Sequence, residues 1–391
     1  MKSIYTGDIS VVKDELIKLK SKLIHTSDVG SEYTCLGNIY GLNEIYSLVT
    51  GKEFLSFKEV SLIDKEKTER AGAFTDEGED ELCFNFIENK DLYKYIGSNG
   101  HNIIVNEMDN KNFETGVLDF TEEEAYEIIR DYFKCCRPEY LGYLEYLIKN
   151  KRLINVSSFS QIQKNLKGQC HYIYDDLPLI FIESPFFTLE TISYLIHEFG
   201  HAVDFRYLEK KYSVSEIEKS FFASAKGEVL SRFLEREAIG FFEKEGIDNT
   251  CTACLLDNYY GTLEEVLLDV YFLGMLPNHL IEENKYYDCN KNKLLSTIDN
   301  KKLRKEFRSS IKFKYLDLNS SLKYSVGGLG GIILYERFCE DKKLGRKVFN
   351  NFLKNRTLFA DESFIEELGY RDGEFEKIVK KDYQFIKKYR K

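Results

Sequence analysis

The sequence predicts a mostly α fold carrying a small β-sheet, and three observations lead there. Only 4 Pro interrupt 391 residues, and an interior proline is what most often ends a helix. Apolar residues recur at helical spacing in several long segments. Against them stands one strong strand-like run, Pro178-Leu179-Ile180-Phe181-Ile182-Glu183,. The chain is long enough to bury a sizeable core in one large domain or two. With 27 Tyr, 29 Phe, 3 Met and no Trp, phenyl and phenol rings supply much of that core.

Taken in order, residues 1–25 predict an amphipathic helix. Val12, Leu16, Leu19 and Leu23 fall on one face, with Lys13, Glu15, Lys18 and Lys20 off it,. Residues 26–60 predict short helices carrying Leu42, Ile45 and Leu48, broken by Gly37, Gly41 and Gly51. From 62 to 118 the periodicity degrades. Asp64–Arg70 is charged, Thr75–Glu81 is acidic, and Asn99-Gly100 and Asp109–Asn112 read as turns, with Ile103-Ile104-Val105 as the best strand candidate,. At Thr121-Glu122-Glu123-Glu124 a capping-box signature opens a helix striped by Ala125, Ile128, Ile129, Tyr132 and Phe133,. A second helix follows Pro138 with Tyr140, Leu144 and Leu147. This change of character places a domain boundary near 118, dividing a mainly helical region, 1–118, from a larger domain, 119–391.

Charge and composition exclude several classes of partner. A net charge of −10 and a pI near 5.4 argue against nucleic acid and against anionic membranes,. Nowhere does an uncharged apolar stretch reach bilayer length. The first residues hold no apolar signal core. The odd number of cysteines, 9, then reads as reduced thiols of a cytoplasmic protein,. Cys251-Thr252-Ala253-Cys254 lacks a second pair at zinc-finger spacing and reads as structural thiols on a helix,.

The chemistry-bearing stretch is Thr191–Asp204, which contains His197-Glu198-Phe199-Gly200-His201. Residues at i and i+4 share a helix face, so His197 and His201 can point at one ion. Glu198 sits about 100° further round, where it can reach a water without being a ligand. Ile192, Leu195, Ile196, Phe199 and Val203 predict that this helix is buried, and Thr188 is a plausible N-cap,. A site of this kind takes one more protein ligand and leaves a position open. Glu228, Glu235 and Glu237 are the acidic residues of the segment Lys226–Glu237. Glu228 and Glu235 fall two helical turns apart on one face, with Ser231 between them. Glu228 is the candidate ligand and Glu235 a candidate support behind it.

At these residues the chain resembles the thimet oligopeptidase and oligoendopeptidase F metallopeptidases, which are of the gluzincin type. That family carries a His-Glu-Phe/Leu-Gly-His helix, then some 25–30 residues on a helix beginning Glu-Val-x-Ser-x-x-x-Glu. Here the second reads Glu228-Val229-Leu230-Ser231-Arg232-Phe233-Leu234-Glu235. Lys167-Gly168-Gln169-Cys170 and Pro178–Glu183 look like the strands lining the family's substrate cleft. Lys323-Tyr324-Ser325-Val326-Gly327-Gly328-Leu329 resembles its tyrosine-glycine segment, and Glu362–Gly373 its closing helices. The resemblance covers roughly residues 120–391.

It implies a gluzincin-type catalytic domain with a small sheet lining an active-site cleft. One Zn2+ would be held by His197, His201 and Glu228, with Glu198 as general base. Tyr324 or Tyr315 would stabilise the oxyanion. The strand containing Pro178, Ile180 and Ile182 would bind a peptide by strand addition. Two departures stand out. Asp204 replaces a frequent His and would orient a ligand imidazole. Lys314-Tyr315 falls about where the family has a His, and His279 is an alternative donor. The implied activity is hydrolysis of short oligopeptides. The alternatives are a catalytically silent zinc protein that binds peptides or proteins, and an exopeptidase of the same fold.

Overall fold

The computed structural model describes residues 9–55, 65–107, 119–155, 168–173, 176–182, 187–217, 225–283, 285–286, 291–310, 316–356, 367–371 and 373–390. Lys167, Glu183, Asp109–Asn112, Lys314, Tyr315 and half of Glu362–Gly373 lie outside these residues. As expected from the sequence, the architecture is mostly α with one small sheet. The chain divides into two compact units, each assembled from separate stretches. One comprises 1–77, 116–219 and 237–248; the other comprises 78–115, 220–236 and 249–391.

The first unit opens with α1 (Ser10–His25) and α2 (Val29–Thr50). Asp28 caps α2 by accepting from the Ser31 amide at 2.9 Å,. The predicted face of α1 is fully used, since Val12, Leu16, Leu19 and Leu23 pack with Ile39, Leu42, Ile45, Leu179 and Phe181 in one cluster. The predicted breaks at Gly37 and Gly41 are absent, because α2 runs through both. Burial of the α2 apolar face outweighs a helix cost of about 1 kcal/mol per glycine. Gly51 does end the helix, as its left-handed C-cap with φ 68°,.

In the same unit α5 (Glu122–Cys136) starts with the predicted capping box and α6 (Pro138–Lys149) with Pro138 in its first turn. Between α2 and α5 in sequence, α3 (Lys65–Glu88), whose residues are divided between the units, and α4 (Lys90–Glu107), of the second unit, replace the predicted irregular region and the strand at Ile103-Ile104-Val105. The sheet has the order β1 (Leu153–Asn155), β3 (Leu179–Ile182), β2 (Gly168–His171). β1 runs parallel and β2 antiparallel to β3. All four residues of β3 have no exposed surface, which is why that segment reads as an unbroken apolar run. Next comes α7 (Leu189–Leu208), which packs against the sheet.

A 3-10 turn (Ala225–Glu228) leads into α8 (Val229–Glu245). From α8, Glu237 accepts two bonds from the Arg137 guanidinium, both at 2.8 Å, and one from the Tyr132 hydroxyl at 3.1 Å.

The second unit is built on α9 (Asn249–Met275). It lies so close to α4 that a Cβ on Gly97 would meet the Leu267 carbonyl oxygen at 2.6 Å. This explains why Ile103-Ile104-Val105 is helical. Gly97, Gly100, His101 and Ile104 form a buried face at helical spacing, and that packing overrides the local preference of three β-branched residues. Beyond α9 lie α10 (Asn278–Glu282), α11 (Lys291–Ser296), α12 (Lys301–Ser310), α13 (Leu318–Glu340), α14 (Lys342–Lys354) and α15 (Glu374–Tyr389). Arg236 and Tyr260 both donate to the buried Asp382, at 2.6 and 2.7 Å. Among the described residues no helix is long and apolar enough to cross a membrane.

Candidate metal centre

Thr188 starts α7 by accepting from the Thr191 amide at 3.2 Å, the predicted cap,. The helix is anchored by Phe199, whose ring lies 5.0 Å from Phe133 and 5.8 Å from Tyr143. With Phe199 in the core, the His197 and His201 rings meet edge to face, their centroids 5.1 Å apart and their planes at 81°. Glu228 ends the 3-10 turn before α8.

One group of metal-ligating side chains stands out among the described residues: His197, His201 and Glu228. Each contributes one ligand atom, and the three atoms lie within 4.8 Å of one another. Two imidazoles and a carboxylate at this spacing, with His197 and Glu228 only 7% and 8% exposed, could hold a divalent ion,.

The surroundings of Glu228 and Glu198 show how each is placed. Ser231 Oγ lies 2.9 Å from Glu228 Oε2 and 3.0 Å from the Glu228 carbonyl oxygen, so its one proton goes to one of the two. Gly327 on α13 presses on the same residue: a Cβ there would sit 2.4 Å from Glu228 Cβ and 2.9 Å from its carbonyl carbon. Gly331, one turn on, stands as close to the Arg232 and Phe233 backbone, at 2.8 Å. The glycines of this segment therefore serve close helix packing. On β2, a Cβ at Gly168 would lie 2.9 Å from Glu198 Oε1 and 3.0 Å from its Cγ. Burial, and then the negative charge of Glu198, push the Cys170 thiol well above the ordinary thiol range,.

The remaining predicted residues are placed as follows. Asp204 is buried on α7, at 1% exposure. Glu235 accepts a bond from Arg232 Nη1 at 2.9 Å. Tyr324 is half-buried on α13, under the Arg232 guanidinium, which lies 5.1 Å from its ring centroid. His279 is exposed on α10, and Tyr315 lies outside the described residues. Pro178, Ile180 and Ile182 are buried, and strand addition at β3 has no free edge to use. Its register is filled by Leu153–Asn155 on one side and by Gly168–His171 on the other. A peptide extending this sheet would have to pair with an outer strand.

Two roles here escaped the sequence reading, those of Gly168 and Arg232, whereas Gly327, Gly328, Gly330 and Gly331 read as a hinge or as close helix packing. Gly168 could be noticed as a glycine inside a strand, but nothing in its neighbours says which atom approaches it. Arg232 carries no motif of its own.

Comparison with protein-family models finds no match, and neither does comparison with curated proteins. Solved structures do match. A "putative peptidase" from Chlamydophila abortus is 15% identical, with a TM-score of 0.47, over 99% of this chain and 65% of the other. The chain thus spans less than two thirds of that protein's length. A "putative oligoendopeptidase F" from Bacillus anthracis str. Ames is 10% identical, with a TM-score of 0.50, over 97% of this chain and 74% of the other. PZ peptidase A, solved with an inhibitor, is 14% identical, with a TM-score of 0.44, over 98% of this chain and 78% of the other. At such identities the likeness is one of fold: nearly the whole chain follows the architecture of the Bacillus anthracis protein.

Proposed function

We propose that this chain is a zinc metallopeptidase that hydrolyses peptide bonds of short oligopeptides. The observation that carries the reading is the group His197, His201 and Glu228, three ligand atoms within 4.8 Å, with an acid, Glu198, next to the first histidine in sequence. The fold shared with a protein described as an oligoendopeptidase supports the same class.

In this reading His197, His201 and Glu228 hold one ion, and two neutral imidazoles with one carboxylate suit zinc. When bound, zinc supplies Lewis acidity toward a peptide carbonyl and toward water. Glu198 accepts the proton that water loses on attacking the carbonyl carbon, and delivers it to the departing amine nitrogen. Gly168 leaves the space in which the Glu198 carboxylate stands. Ser231, bonded to Glu228, restricts the rotation of that carboxylate,. Tyr324, or Tyr315, donates its hydroxyl to the oxygen on which negative charge builds up. Asp204 orients a ligand imidazole from behind.

The test is metal analysis of the purified protein together with mass spectrometry of products from a peptide library. One equivalent of zinc and internal cuts support the proposal. Trimming from one end makes the protein an exopeptidase, and zinc with an uncut library makes it a binding protein.

A further inference from the structure

Arg232 is a partly buried cation one turn beyond Glu228, with a side chain 12% exposed. Among the described residues its hydrogen-bonded carboxylate is Glu235, whose Oε2 accepts from Nη1 at 2.9 Å, and the Glu228 carboxylate also acts on it electrostatically. Its Nε is buried with no acceptor among the described residues. A lone apolar residue would fill this space at lower cost, since desolvating a guanidinium is expensive and one ion pair offsets it incompletely. What the guanidinium does at this position is touch two tyrosines. Its Cζ stands 5.1 Å from the ring centroid of Tyr324 on α13 and 5.5 Å from that of Tyr259 on α9, both within cation–π range.

The Tyr259 hydroxyl lies 3.3 Å from the Gly328 carbonyl oxygen and 3.4 Å from that of Arg232, so its one proton goes to one of the two. Tyr324 sits on the turn of α13 preceding Gly327, the residue pressed against Glu228. The Arg232 guanidinium lies against its face.

We propose that Arg232 is a positioning residue, clamped by Glu235, that fixes the Tyr324 ring beside the turn that ends at Glu228. This rests on the reading above for what Tyr324 then does, and it deepens that reading. Glu235 acquires a defined task, holding the guanidinium on the ring, distinct from supporting Glu228. A lysine could supply the charge but not the flat guanidinium that stacks on an aromatic face.

Two measurements test it. The first is fluorine NMR of the full chain with 3-fluorotyrosine at position 324. The expected result is one sharp resonance in the parent, shifted or broadened in Arg232→Met and in Glu235→Gln, at unchanged zinc content. An unchanged resonance in both variants overturns the proposal whether or not any peptide is cleaved. The second is a double-mutant cycle on peptide hydrolysis. Arg232→Met and Tyr324→Phe should each lower kcat about tenfold with KM within about twofold, and the double variant should be little worse than either alone. Arg232→Lys should recover part of the loss. Additive losses contradict the proposal. A Tyr324→Phe variant as active as the parent contradicts the assigned role of Tyr324, while the fluorine signal still decides the positioning. Should Arg232→Met fail to fold, Glu235→Gln carries both measurements, because it loosens the clamp without changing side-chain volume.

Discussion

Glu198 has room for its carboxylate because residue 168 has no side chain. A methyl at that position would stand 2.9 Å from Oε1 and 3.0 Å from Cγ, so the acid would have to move. Misplacing a catalytic group by a fraction of an ångström to about 1 Å costs up to about 100-fold in rate. Gly168→Ala should therefore lower kcat by about ten- to a hundredfold while leaving zinc stoichiometry and fold intact, measured with a quenched peptide alongside metal analysis and circular dichroism. An unchanged kcat would remove Glu198 from the reaction.

At the scale of elements, the glycines divide into those that meet something and those that do not. Gly37 is exposed within α2 with no atom within 4 Å of a Cβ added there. Gly37→Ala should stabilise the protein by about 0.5–1 kcal/mol, since alanine favours a helix and loses less entropy on folding. Gly327→Ala should instead cost about 1–3 kcal/mol, as overpacked contacts do, because its Cβ would meet Glu228 Cβ at 2.4 Å. It should weaken zinc binding as well. Thermal unfolding of the two variants separates the cases, and equal shifts would contradict the packing described.

The same contrast shows how much was legible in advance. Helices whose apolar stripe faces the core, such as α1 and α5, and those with a strong cap, such as α5 and α7, follow from periodicity and capping chemistry. The length of α2 and the helical state of Ile103-Ile104-Val105 do not. Both are settled by partners distant in sequence, for which a local pattern of glycines or β-branched residues gives no signal. Likewise the spacing of His197 and His201 announces the candidate centre, and one ligand atom from each of His197, His201 and Glu228 lies within 4.8 Å of the others. The Arg232 contact with Tyr324 is invisible because the two residues stand on separate helices and no spacing in the sequence links them. The central position of β3 was equally hidden, since a buried run of apolar residues says nothing about which edges are free.

At the scale of the whole molecule, stability should respond to pH and to metal. His171 is packed against Gly41, and burial lowers its pKa from 6.5 to about 4. Its folded-state pKa lies below the unfolded one, so between these values the unfolded chain binds more protons. Stability then rises with pH through that window and falls on acidification from about 6.5 to 4. With part of the ring still accessible, the share due to this residue is about 2 kcal/mol or less. Urea unfolding of the parent and His171→Gln at pH 7 and pH 4.5 should show a smaller acid loss in the variant. Zinc that binds only the folded chain should raise the midpoint, by about 2.7 kcal/mol at a free concentration 100 times Kd. Chelation should reverse this, and His197→Ala should abolish the zinc response.

The central claim is that Glu198 performs proton transfer beside a metal held by three other residues. Glu198→Gln tests it most directly, because the amide keeps the volume and loses the basicity. Zinc content and peptide hydrolysis are measured on the same preparation. The account predicts one zinc per chain, as in the parent, with kcat reduced by about a hundred- to ten-thousandfold. A variant that keeps its zinc and cleaves as fast as the parent would contradict it.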